Sequence, residues 1–348
     1  MGNERNYSSN NVSFTVTDYE PGGKRRRVAQ DVADLRPYDK RDLDMEGLQQ
    51  FRFSHRLAEH ALYLTQFDDS KDDGDLVVYG AGFTGNMTSM AAKLEIATLG
   101  RAFGGESGVP VNVLTLPTAE LDGKYAKEMA RTGSFYTLAE DVASTLNRVA
   151  GDYDRIWVVG HSFGARLAGA IPAAISGKTA QKIDKLIIND PPSAKRALGL
   201  VGLGAAQLAE TIAMNRCIEE SSDTVAQEAW RHVVDGLLQP TPSLRAQLNN
   251  IRAMAKAGFV DDLTRSIAVL PQGTQLTLSS PEQSKMNAPD GVHLLAEELS
   301  KKYYDLPVRH IGFDRTHNGH AANPALFGEI VKRSLADYSH LPYFDMPR

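Results

Sequence analysis

Gly160-His161-Ser162-Phe163-Gly164 constrains this chain more than any other stretch. The run before it, Arg155-Ile156-Trp157-Val158-Val159, is short and apolar, as a core strand is. The run after it, Ala165 to Ile175, is rich in Ala and Leu and reads as a helix. A strand that reverses this sharply into a helix strains the backbone at Ser162 and leaves no room for side chains at either flanking glycine. The Ser162 hydroxyl then projects from the tip of the sheet. The Phe163 N–H points into the same space, at a helix N-terminus that favours negative charge. The plainer alternative is a tight turn in which Ser162 is merely small.

The rest of the chain supplies a strand/helix alternation around that point. Leu76–Tyr79, Val111–Leu116, Ile156–Val159, Leu186–Ile188, Gln275–Leu278 and Val308–Phe313 read as strands. Thr88–Leu99, Thr137–Val149, the segment after Ser162, Gly291–Lys301 and Asn323–Leu335 read as helices. This order predicts a largely parallel sheet covered by helices on both faces. Ser193 to Leu270 breaks the pattern. Val225, Ala229, Trp230, Val233, Val234, Leu237 and Leu238 trace one helical stripe, and Leu244, Leu248, Ile251 and Met254 another. The stretch reads as a helical insertion. At the front, residues 1 to about 11 have the composition of a disordered segment. Val12–Tyr19 alternates as a strand, Gly22-Gly23 marks a turn, and Glu46–Phe67 reads as a long helix. A charged turn follows at Ser70–Gly74. The expected divisions are 1–74 as an N-terminal extension, 75–192 with 271–348 as the core, and 193–270 as the insertion.

Composition narrows the partners. A net charge of -5 argues against nucleic acid as the main partner. The single cysteine, Cys217, excludes an internal disulfide framework and reads as helix packing. Met1 to Val12 carries no apolar leader, and no stretch has the length of a membrane helix. The expectation is a cytoplasmic protein with no membrane span.

A serine hydroxyl attacks carbonyl carbon only with a base in hydrogen-bond reach and a group that orients the base. Nine histidines are available. His320 is the first choice as base, because it lies in the polar loop Thr316–Pro324 between the last strand and the last helix. In a parallel sheet that loop shares the edge carrying Ser162. His317, in the same loop, is the rival and reads as a supporting or surface residue. His161 and His310 read as packing residues. No carboxylate or cysteine stands beside His317 and His320, so no metal site is expected. Two carboxylates end strands on the right edge. Glu282 is the first choice as acid. Asp190, before Pro191-Pro192, is the alternative and also reads as a turn residue. Gly80-Ala81-Gly82-Phe83-Thr84-Gly85-Asn86 can bring backbone N–H groups close to a ligand, and its spacing matches neither a dinucleotide fingerprint nor a P-loop.

Gly160-His161-Ser162-Phe163-Gly164-Ala165, Gly82-Phe83-Thr84-Gly85-Asn86 and Gly319-His320 with Pro324 and Phe327 together resemble the α/β-hydrolase fold family. In that family they correspond to the nucleophile elbow, the oxyanion loop and the histidine loop. The likeness covers about residues 75 to 338, apart from the insertion. It implies a mostly parallel eight-stranded sheet flanked by helices, with a helical cap inserted after the sixth strand. It also implies Ser162 as nucleophile, His320 as base, and Phe83 with Phe163 as oxyanion donors. The chain departs from the pattern in places. Ala81 stands where many relatives carry His, and the Asp usual after the seventh strand is absent, leaving Glu282 nearest.

The expected function is a serine hydrolase acting on a carboxylic ester or thioester with an apolar acyl or small aromatic group, without a cofactor. Two rival classes remain. One is a non-catalytic ligand-binding protein that kept the elbow and lost its acid. The other is an interaction protein using the basic run Lys24-Arg25-Arg26-Arg27.

Overall fold

The computed structural model describes residues 11–20, 24–35, 48–54, 59–67, 74–82, 90–105, 110–117, 123–195, 197–220, 227, 231, 244–287, 290–317, 319 and 325–338. Its strands are β1 (Asn11–Glu20), β2 (Lys24–Asp34), β3 (Leu48–Ser54), β4 (Glu59–Thr65), β5 (Asp75–Gly80), β6 (Asn112–Thr115), β7 (Arg155–His161), β8 (Ile183–Asn189), β9 (Gln275–Pro281) and β10 (Val308–Phe313). Its helices are α1 (Met90–Gly104), α2 (Gly123–Thr132), α3 (Tyr136–Ala150), α4 (Phe163–Ala174), α5 (Gly177–Ala180), α6 (Gly199–Glu220), α7 (Leu244–Met254), α8 (Phe259–Ile267), α9 (Gly291–Lys302) and α10 (Ala325–Leu335).

All the strands join one 10-stranded sheet in the order β2-β1-β10-β9-β8-β7-β5-β6-β4-β3. Strands β6, β5, β7, β8, β9 and β10 are parallel to one another. Antiparallel strands extend both edges: β1 and β2 beyond β10, and β4 and β3 beyond β6. The sheet is therefore larger and more mixed than the expected eight strands.

The extra pair explains the difference. Glu46–Phe67 is not a long helix: Leu48–Ser54 and Glu59–Thr65 form an antiparallel pair. Its apolar residues follow neither period cleanly. Leu62 and Leu64 enter the core on one sheet face, while Tyr63 between them enters the core on the other. Pairing with β6 supplies the ladder that overrides the apparent helical spacing.

The parallel strands are buried on both sides, and β5 and β7 accordingly read as apolar runs. Leu76, Val78, Ile156, Val158, Leu186 and Ile188 face a core completed by α3, α4, α8 and α9. Val77, Tyr79, Trp157, Val159 and Ile187 face the opposite core, covered by α1 and α10. The basic run lies on β2, paired antiparallel to β1, and Arg25 forms an ion pair with Glu297 of α9. Between β8 and β9 the described residues form helices α6, α7 and α8, as the sequence pattern predicts. The Val225–Leu238 stripe falls outside the described residues except for Gln227 and Arg231, and residues 1–10 fall outside them entirely.

One topological feature positions the site. The chain passes from β5 to β6 on one side and returns to β7 on the other. The loops after β5 and β7 therefore separate at the carboxyl edge, where open α/β sheets leave a crevice.

Candidate active site

Ser162 sits in that crevice, at the junction of β7 and α4. Its φ of 54° and ψ of -118° lie in a region that non-glycine residues seldom adopt. Such a conformation costs about 1–3 kcal/mol and persists only where the surroundings enforce it. The enforcement is steric. A Cβ on Gly160 would meet the Ala165 Cα and Ala168 Cβ at 2.7 Å each. A Cβ on Gly164 would overlap the Gly80 carbonyl at the end of β5. Two missing side chains let β5, β7 and α4 touch backbone to backbone. The Ser162 N–H donates to the Asn189 carbonyl at 3.0 Å, tying the turn to the end of β8.

Three groups then line up. The Ser162 Oγ lies 2.8 Å from His317 Nε2, and His317 Nδ1 lies 2.6 Å from Asp190 Oδ2. A carboxylate only accepts, so Nδ1 carries the proton and Nε2 accepts from the Ser162 hydroxyl. Asp190 is fully buried and follows β8 directly, at a φ of 43°. It is also well partnered: Ser284 Oγ donates to its Oδ2 at 2.6 Å and Asn287 Nδ2 to its Oδ1 at 2.7 Å.

Among the described residues these contacts fall to His317, the rival base of the sequence reading, and to Asp190, its alternative acid. His320 itself lies outside the described residues. Glu282 is exposed, with its backbone N–H donating to the Phe313 carbonyl at 2.7 Å. Two histidines three residues apart in one loop are equivalent to any argument from spacing.

Further residues support the ring, and no sequence signal marked them. The His161 ring lies tilted beside that of His317, with centroids 4.8 Å apart, and its Nδ1 accepts from Asn189 Nδ2 at 3.0 Å. Asn189 is held in turn by Ser279 Oγ at 2.8 Å. Glu210 of α6 accepts the His317 backbone N–H at 2.9 Å. Burial pushes its carboxyl pKa up, against the pull of His317 and of the Lys285 N–H.

On the other side of Ser162 the loop after β5 comes close. A Cβ on Gly82 would stand 3.2 Å from His161 Cδ2 and 3.8 Å from Ser162 Cβ. Phe83 lies outside the described residues. Phe163 is the first residue of α4, so its N–H belongs to the helix N-terminal turn. Among the described residues no group of three or more His, Cys, Asp or Glu is placed to hold a metal ion. No described helix is long and apolar enough to cross a membrane.

No protein-family model and no curated protein sequence matches the chain. Solved structures do resemble it. The thioesterase domain from the curacin biosynthetic pathway is 16% identical with a TM-score of 0.48, covering 82% of this chain and 99% of its own. An esterase of Pyrococcus furiosus is 14% identical with a TM-score of 0.48, covering 87% and 96%. E-2-(acetamidomethylene)succinate hydrolase is 15% identical with a TM-score of 0.49, covering 83% and 99%. The chain's own strand order, its strained serine between β7 and α4, and helices on both sheet faces define the α/β-hydrolase fold.

Proposed function

We propose that this protein is a serine hydrolase that cleaves a carboxylic ester or thioester through an acyl-enzyme on Ser162. The observation that carries the reading is the buried hydrogen-bond chain from Ser162 through His317 to Asp190, at a strained turn. In this mechanism His317 Nε2 takes the Ser162 proton as Oγ attacks the carbonyl carbon. Asp190 keeps the imidazole in the productive tautomer and stabilises the imidazolium. The negative charge on the former carbonyl oxygen is met by the Phe163 N–H and by a donor from the loop after Gly82, with Phe83 the candidate. The imidazolium returns its proton to the leaving alcohol or thiol. A water molecule, deprotonated by the same ring, then releases the acid.

The helices between β8 and β9 serve as a cap over the pocket, with the core at 75–192 and 271–348. Leu, Ala and Met are frequent in the capping stretch, which favours an apolar acyl or small aromatic group. A ligand-binding role without turnover drew its support from a missing acid, and Asp190 supplies that acid in contact with His317.

The test is labelling with a fluorophosphonate probe, comparing the wild type with Ser162→Ala and mapping the adduct by mass. Adduct formation at Ser162, lost in the variant, is expected, followed by turnover of 4-nitrophenyl esters or acyl thioesters. A folded wild type that neither labels nor turns over any member of such a panel would overturn the reading.

A further inference from the structure

Glu210 lies in the middle of α6, on the side that also buries Leu203, Ala206, Met214 and Ile218, and it is 1% exposed. A carboxylate in that position is expensive to desolvate, and an apolar residue would seat the helix as well. Its two oxygens are used separately. Oε1 accepts the Lys285 N–H at 2.6 Å, and Oε2 accepts the His317 N–H at 2.9 Å. Those amides belong to the two loops that carry the site. Lys285 follows Ser284, whose hydroxyl donates to Asp190, and His317 is the bridging ring itself.

We infer that Glu210 is a positioning residue through which the seating of α6 sets the alignment of Ser162, His317 and Asp190. This inference rests on the serine-hydrolase reading. The geometry asks for a carboxylate. An ionised carboxylate accepts at both oxygens, whereas an amide offers one oxygen and turns its NH₂ against the other amide N–H. The charge matters too. Glu210 from α6 and Asp190 from the end of β8 flank His317, the His161 ring of β7 lies tilted beside it, and Lys285 contributes its backbone rather than its exposed side chain. Glu210 and His317 attract each other electrostatically.

The experiment measures the rate of fluorophosphonate labelling at Ser162 against pH, and kcat and KM with 4-nitrophenyl acetate. The proteins are the wild type, Glu210→Gln, Glu210→Asp and His317→Ala. Glu210→Gln is expected to label about 10- to 100-fold more slowly, as misplacement of a reacting group by a fraction of an ångström does. The loss falls on kcat with KM within about twofold, and the acid limb of the profile moves to lower pH. Glu210→Asp keeps the charge but is too short to reach both amides, so it restores the acid limb while remaining slow. Glu210→Gln that labels at the wild-type rate with an unmoved acid limb would overturn the inference alone. Wild type that does not label at Ser162, or His317→Ala that labels normally, would overturn the underlying reading and this inference with it. If Glu210→Gln does not fold, hydrogen exchange on the wild type decides. Slow exchange at the Lys285 and His317 amides supports the clamp, and fast exchange at both overturns it.

Discussion

His317 Nδ1 lies 2.6 Å from Asp190 Oδ2, although 127 residues separate the two in the chain and both side chains are shut off from water. A bond of this kind is strong where solvent cannot compete, and it fixes which ring nitrogen faces Ser162. Asp190→Asn would present an NH₂ group to that nitrogen and favour the wrong tautomer. We expect kcat to fall about 10,000-fold with the fold retained. Glu282→Gln, at an exposed position that does not touch the ring, should keep kcat/KM within about threefold. Steady-state kinetics on the two variants compare them directly. The opposite ranking would return the acid's role to Glu282.

The two histidines of the Thr316–Pro324 loop separate in the same way. His317→Ala removes the only group that bridges Ser162 and Asp190 among the described residues. It should lose at least about 1,000-fold in probe labelling, because triad members act as a unit. His320→Ala should label at close to the wild-type rate. Comparable losses in both variants would mean that the loop rearranges before reaction.

Gly160→Ala tests the origin of the strain at Ser162. The added carbon would come within 2.7 Å of both Ala165 Cα and Ala168 Cβ. Overpacking against backbone cannot be relieved by a rotamer change, so a loss of at least about 2 kcal/mol in unfolding free energy is expected. Labelling at Ser162 should fall as well, since the turn is set by the same contacts. A variant as stable and as reactive as the wild type would show that the turn holds itself.

Arg166 offers a stability test away from the chemistry. It is fully buried on α4 and donates to the carbonyls of Gly133, Ala253, Met254 and Lys256 at 2.7 to 3.1 Å. The Ala253 and Met254 carbonyls are among the last of α7, which lack partners inside the helix. Burial lowers the guanidinium pKa to about 10, so the charge is retained near neutral pH. Arg166→Met removes the donor to all four carbonyls and should destabilise the protein by about 3–5 kcal/mol. Urea unfolding measures this. A loss below about 1 kcal/mol would mean that water replaces the guanidinium.

His310 gives a pH dependence whose sign can be worked out. Buried in β10 beside His293 and bonded to Ser280 at 2.9 Å, it has its pKa lowered by burial to about 3. The unfolded chain binds a proton there below about pH 6.5, and the folded chain does not until about pH 3. Stability contributed by the neutral ring is thus complete above about pH 6.5 and is lost as pH falls through that window. Urea midpoints at about pH 7 and about pH 4 should converge in His310→Gln relative to wild type. An unchanged difference would assign the acid sensitivity to other groups.

Particular residues mark where the sequence was readable. Gly160, Ser162 and Gly164 announced the turn because a close approach of three backbones tolerates so few residue types. Strands β5 to β10 were readable because burial on both faces makes their runs short and mainly apolar. The pair β3 and β4 was not. Leu48, Phe51, Leu57, Ala61, Leu62 and Leu64 satisfy two periods imperfectly, and pairing with β6 chose between them.

Local information thus determined the strands and helices from β5 onward that the pattern marked, their order, and the serine at the sheet edge, since each depends on neighbours within a few residues. The contacts of Ser162 with His317, of His317 with Asp190, and of Glu210 with the His317 N–H were made by tertiary structure. A hydrogen bond is decided by ångström distances between groups that lie 94 to 155 residues apart in this chain. Spacing along a sequence carries no record of such distances until the sheet has brought its carboxyl edge together.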